Sequence, residues 1–196
     1  MDVDTMRRGL GVLMIVTWPP ALAFWLVVHP AIAHWRRVGR WLSYSVVTLA
    51  MAAVGVLGYR LRNEVIGADL GFVPILILPA LLSYGVAVVI YAQRRRHLTN
   101  RILTGVPELQ ADGKGGQLLT EGIYSRMRHP RYVELSLGSL ALTLFVNHVG
   151  IYILFAVFLG GLLGVVLLEE RELRQRFGAD YAAYQARVPR FIPRRH

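Results

Sequence analysis

The chain has no cysteine in its 196 residues, so neither a disulfide framework nor a thiolate metal site is available to it. Charge is scarce as well: 17% of the residues are Asp, Glu, Lys or Arg, where a soluble domain carries about a quarter. The charge present leans to one sign, with 12 acidic against 22 basic residues and a net charge of +10. The basic residues flank apolar runs and build no separate basic domain. That placement argues against nucleic acid and for anionic lipid headgroups as the partner. No Gly-x-Gly-x-x-Gly turn follows a strand, so the pattern of a Rossmann-type nucleotide site is missing. His29 and His34 flank the first apolar run, and His148 stands alone in a later turn. None has metal-ligand spacing with another residue, and no metal is expected. The N-terminus has a short basic flank before its apolar stretch but no small-residue cleavage site, which fits a retained span better than a signal peptide.

What is abundant is apolar: 55% of the residues are hydrophobic, gathered into five runs with the charges between them. Residues 9–29, 41–59, 71–92, 132–147 and 151–168 each approach the roughly 20 residues that cross a bilayer. The expected fold class is all-α: a polytopic integral membrane protein of about five transmembrane helices with a cytoplasmic C-terminal helical cap. Its length suits one domain, divided into residues 1–92, the first three helices, and residues 93–196, a polar loop, a helical hairpin and a polar C-terminal tail. Pro19 and Pro20 are expected to kink the first helix, since each removes a backbone donor. Asn147, His148, Val149 and Gly150 leave almost no loop, which predicts a tight hairpin of the last two spans. Gly160 and Gly164 make a small-xxx-small pair that helix packing explains.

Arginine placement sets the expected topology. Most arginines fall in the segments after the first, third and fifth runs, while Arg7, Arg8, Arg60 and Arg62 on the other side have acidic neighbours. The bias puts the N-terminus outside and the C-terminus and the polar segments in the cytoplasm, as in a cell inner membrane, with Glu64 and His148 external and Lys114 cytoplasmic.

Two polar segments are rich enough to carry chemistry, residues 93–131 and 169–196. The densest cluster runs from Gly122 through Tyr124, Arg128, His129, Pro130 and Arg131 to Tyr132. It reads equally as an interfacial flank and as a binding turn, with Pro130 fit to open a helix. Glu169 and Glu170 follow the fifth run; acids at a helix C-terminus oppose the macrodipole, so they need arginines or a bound cation. Glu134, one turn into the fourth run, is a costly carboxylate at that depth. It suits either a functional role or a buried pair with Arg128 or Arg131. Leu173, Phe177, Tyr181 and Tyr184 fall at helical spacing. Gly178 interrupts that stripe, and Asp180 is placed to cap a second short helix.

Residues 116–193 resemble the integral-membrane methyltransferases typified by isoprenylcysteine carboxyl methyltransferase, to which the phospholipid methyltransferases are related. The resemblance lies in Gly122-x-Tyr124, Arg128-His129-Pro130-x-Tyr132, Glu169-Glu170, Phe177-Gly178-x-x-Tyr181-x-x-Tyr184, Arg187-Val188-Pro189 and Phe191-Ile192-Pro193, in that order. It implies an S-adenosylmethionine site over the last two helices. Contacts are expected from Gly116, Gln117, Leu118, Leu119, Tyr124, His129, Pro130, Arg131, Tyr132 and Glu169. A carboxylate acceptor needs no base; for an amine, His129 or Glu134 is the expected proton acceptor. Arg128 and Val165 are expected on the substrate side. Val165 stands where the prenylcysteine enzymes place an arginine, which points away from a prenylcysteine carboxylate and toward another lipid-soluble acceptor (carboxylate, amine or thiol). A sterol-type membrane reductase using a nicotinamide cofactor and a non-enzymatic lipid- or partner-binding protein are the competing readings.

Overall fold

The computed structural model describes residues 2–28, 40–96 and 118–193. Its helices are α1 (Val3–Val28), α2 (Arg40–Arg60), the short α3 (Arg62–Ile66), α4 (Ile77–Arg95), α5 (Pro130–Val146) and α6 (Val149–Arg187). 3-10 turns at Pro74–Leu76 and Gly122–Ser125 precede α4 and α5. Among the described residues the β content is one isolated antiparallel bridge, Asp69 to His148.

The chain is therefore an all-α integral membrane protein, with apolar helices at each of the five expected runs. Val3–Trp25, Pro74–Arg95 and Val149–Arg187 are long and apolar enough to cross a membrane, while Ser45–Arg60 is a shorter apolar helix and α5 has 17 residues. The two shorter helices lie against longer ones, α2 on α1 and α5 on α4. Leu78, Leu81, Leu82, Val86 and Val89 of α4 and Ile153 and Val157 of α6 are exposed. So extensive an apolar surface is one that a bilayer covers. Helix α1 continues through Pro19 and Pro20 to Val28.

Two elements differ from the sequence expectation. The run after residue 168 does not start a separate tail: α6 carries on without a break through Glu169 and Glu170, because Glu, Arg, Leu and Gln are good helix formers. Helical geometry fails only at Gly178, with φ 50 and ψ −120, a conformation that suits a residue without Cβ. The two glutamates thus sit inside a helix, and the expected conflict with its C-terminal dipole does not arise. Of the adjacent glycines 160 and 161 in α6, the close contact falls on Gly161 and not on Gly160. A Cβ at Gly161 would meet Leu22 Cδ1 at 2.7 Å, whereas one at Gly160 would meet nothing within 4 Å.

The hairpin between α5 and α6 is as tight as predicted. Asn147 adopts the left-handed conformation that ends α5, and His148 opens α6. Asn147 donates to the Gly71 carbonyl at 2.9 Å and accepts from the Tyr152 hydroxyl at 2.9 Å. Arg7 is fully buried there. Its Nε and Nη2 donate to the Val146 carbonyl at 3.2 and 2.9 Å, and Asp4 and Asp69 neutralise it. Arg7 thereby satisfies a helix-terminal carbonyl that α5 cannot pair itself. Gly150 packs against the α3 backbone so closely that a Cβ would run into the Val65 carbonyl oxygen. Gly150→Ala is accordingly expected to lower the unfolding midpoint in detergent, by about 1–3 kcal/mol of overpacking. A thermal melt that matches wild type would show that α3 and α6 can separate freely.

Candidate active site

At the end of the bundle opposite the hairpin, α5 opens at Pro130, whose ring suits the first helical position. His129 is the residue before it, with φ −123 and ψ 57, and its side chain makes no capping bond. The ring is free to turn toward α6, where Nε2 lies 3.1 Å from Glu170 Oε1. The C-terminal segment returns across the same turn: the Arg128 and His129 amides donate to the Pro189 and Arg190 carbonyls at 2.9 and 3.1 Å.

Glu170 is the centre of this crossing and is fully buried. Its Oε1 accepts from Arg128 Nε and Nη2 at 3.2 and 2.8 Å and from Arg190 Nε at 3.1 Å, and its Oε2 from Arg190 Nη2 at 2.7 Å. Arg128 Nη1 continues to the Gln185 and Val188 carbonyls at 3.1 and 2.6 Å. One carboxylate therefore ties the turn before α5, the body of α6 and the last residues into one unit. An acceptor-only carboxylate at Nε2 also requires the ring proton on that nitrogen, which leaves Nδ1 to face the other way.

Glu169 faces that other side. Its Oε2 is 3.9 Å from His129 Nδ1, is buried, and has no hydrogen-bond partner among the described residues. Tyr124 sits on the Gly122–Ser125 turn, packed with Ile90, Ile123 and Met127, and its carbonyl accepts from the Tyr184 hydroxyl at 2.7 Å. Burial pushes the Tyr124 phenol above its ordinary value, so it remains a proton donor at neutral pH. Tyr181, Tyr184 and Val188 form a buried cluster with Leu118, Leu173 and Phe177 against it. The aromatic stripe of α6 is thus packed beside the Tyr124 turn.

The remaining predicted residues are placed as follows. Leu119 is half-buried, and Gly116 and Gln117 lie outside the described residues. The Arg131 guanidinium lies over the Trp25 ring at 5.1 Å, and the Tyr132 ring is 5.8 Å from that of His129. Glu134 pairs with neither Arg128 nor Arg131 but with Arg94, whose Nε and Nη2 reach it at 2.8 and 3.3 Å. The packing of α4 along α5 decides this, since Arg128 precedes α5 and is already taken by Glu170. Val165 is fully buried among Leu22, Tyr132, Phe158, Leu162 and Val166. All three guanidinium nitrogens of Arg128 donate to protein acceptors.

Arg94 and Arg190 were not singled out from sequence. A signal for Arg94 existed: it extends the buried stripe Ala80, Ser83, Ala87 and Ile90 by one helical step. For Arg190 there was none, because its place depends on the chain reversing after Arg187.

A family model described as phospholipid methyltransferase matches residues 76–180. That stretch holds α4, α5, the Tyr124 turn and most of α6, with His129, Glu134, Glu169 and Glu170 among its residues. No curated protein and no solved structure matches the chain.

Proposed function

The chain belongs to the phospholipid methyltransferase family of integral-membrane methyltransferases, and from that premise we propose that it moves a methyl group from S-adenosylmethionine to an acceptor dissolved in the membrane. The observation that carries this reading is the buried Glu169 Oε2 beside His129, which has no hydrogen-bond partner among the described residues. A buried polar atom left unmatched costs about 1–3 kcal/mol, and a protonated amino group bound there removes that cost. The cofactor would supply an electrophilic methyl carbon on a sulfonium.

This chain's own groups would bind and align. Glu169 takes the amino end, while Leu118, Leu119, Tyr124 and the turn His129, Pro130, Arg131 and Tyr132 surround the remainder. The bundle would hold the acceptor in line and away from water. For an amine acceptor, His129 Nδ1 is the nitrogen left to accept a proton. Glu134 is engaged by Arg94 and serves to orient it. Arg128 and Val165 are occupied in the fold, so no substrate contact is assigned to either.

Incubation with methyl-labelled S-adenosylmethionine and a native lipid extract tests the reading, with label expected in a lipid product. Absence of labelled lipid, together with saturable binding of a nicotinamide cofactor instead, would replace it with the reductase reading.

The arginine asymmetry supports a cytoplasmic site. Because the chain has no cysteine, single substitutions report without background. Glu64→Cys and Ala182→Cys, both at exposed positions, are expected to react with impermeant thiol reagents from the external and the cytoplasmic side respectively. Labelling of both from one side would reject the orientation.

A further inference from the structure

The guanidinium of Arg94 is buried, with the residue 5% exposed, at the last turn of α4. Two of its nitrogens are used, Nε and Nη2, both on Glu134. The third, Nη1, is buried and has no hydrogen-bond partner among the described residues. A guanidinium presents five N–H groups in a fixed fork, and this one holds out its free corner as a donor. The pair with Glu134 neutralises the charge and fixes the plane, so the remaining donors are oriented before any ligand arrives.

The surroundings of Arg94 follow from the packing. Ile90, one helical turn before Arg94 and on the same face of α4, packs with Ile123 and Met127 in the cluster that also takes in Tyr124 of the site and Val133 and Leu137 of α5. The Tyr124 hydroxyl feels the charges of Arg94, Glu134, Arg131 and Glu169 together. Among the described residues, the surroundings of Tyr124 thus hold a donor and an acceptor without hydrogen-bond partners, Arg94 Nη1 and Glu169 Oε2. Such a pair complements a molecule that carries an anion and an ammonium on neighbouring carbons. Exposed Val86, Val89 and Tyr91 of α4 precede Arg94, so the donor lies where a lipid-covered helix ends and headgroup oxyanions sit.

We infer that Arg94 is an anion-recognising residue of the methyl-transfer site, its Nη1 donating to an oxyanion of a molecule bound there. This rests on the methyl-transfer reading above. Two molecules in that reading carry such an oxyanion: a phospholipid acceptor with its phosphate and the methyl donor with its carboxylate.

Calorimetric titration in detergent separates them, with dihexanoyl phosphatidylethanolamine and S-adenosylmethionine as probes. Arg94→Gln alone would strand Glu134, so the variant for test is Arg94→Gln combined with Glu134→Gln, which keeps a neutral hydrogen-bonding pair. Arg94→Lys is the companion: it preserves a cation against Glu134 and removes the fork. With unfolding midpoints near wild type, at least one ligand is expected to bind about tenfold more weakly to both variants, the equivalent of about 1.4 kcal/mol. A loss confined to the phospholipid identifies the phosphate, and a loss confined to S-adenosylmethionine identifies the carboxylate. Both affinities unchanged would overturn the inference and leave the methyl-transfer reading standing. If wild type itself binds neither probe, the methyl-transfer reading fails and this inference fails with it.

Discussion

Glu170→Ala is expected to destabilise the protein by about 3–5 kcal/mol, the usual consequence of removing one member of a buried ionic cluster. Arg128 would be left buried with Nε and Nη2 unmatched, and the side-chain bonds from α6 to His129 and Arg190 would be lost. Arg190 is 37% exposed at its side chain and can turn to water, so Arg128 and His129 dominate the loss. The measurement is the unfolding midpoint in detergent without added ligand. Glu170→Leu combined with Arg128→Met is expected to recover part of the stability, because replacing a buried ionic group by apolar volume avoids the stranded charge. A Glu170→Ala protein that melts with wild type would show that the cluster does not hold the C-terminal segment down.

Glu169→Ala, one residue away, is expected to act the other way round. Its buried Oε2 has no described partner, so truncation removes an unsatisfied atom and leaves ligand-free stability the same or slightly higher. Affinity for S-adenosylmethionine should fall roughly ten- to a hundredfold, the size of one charge-assisted contact of about 1.5–3 kcal/mol. Calorimetry on folded protein measures it. Should Glu169→Ala bind the cofactor as tightly as wild type, or should it lose stability as Glu170→Ala does, the assignment of the amino-group contact to Glu169 is wrong. The same pair of measurements therefore tells an anchoring carboxylate from a binding one.

Much of this was legible in the amino acids because the signals were local. Apolar runs of bilayer length fix the helices through hydropathy, and a proline at residue 130 opens α5 wherever α5 goes. The Asn147 and His148 hairpin follows from the shortness of the connection. The cluster from Gly122 to Tyr132 and the pair Glu169 and Glu170 could be singled out because polar residues at the edge of an apolar run are expensive, whatever their partners.

The partners themselves were beyond the sequence. Adjacent glutamates on a helix differ by about 100° in direction. Their division into Glu170, sealed among Arg128, Arg190 and His129, and Glu169, whose Oε2 has no donor among the described residues, depends on where α6 lies against the turn before α5. The choice of Arg94 over Arg128 or Arg131 for Glu134 likewise waited on α4 packing along α5. Val165 matched a position associated with substrate, yet its face of α6 meets α1 and Tyr132. Composition and periodicity determine which segments enter the membrane and which residues are costly there. Only the packing of helices distant in sequence determines which of those costly groups are neutralised and which remain for a ligand, because charge pairing depends on distance and direction in space and not on order along the chain.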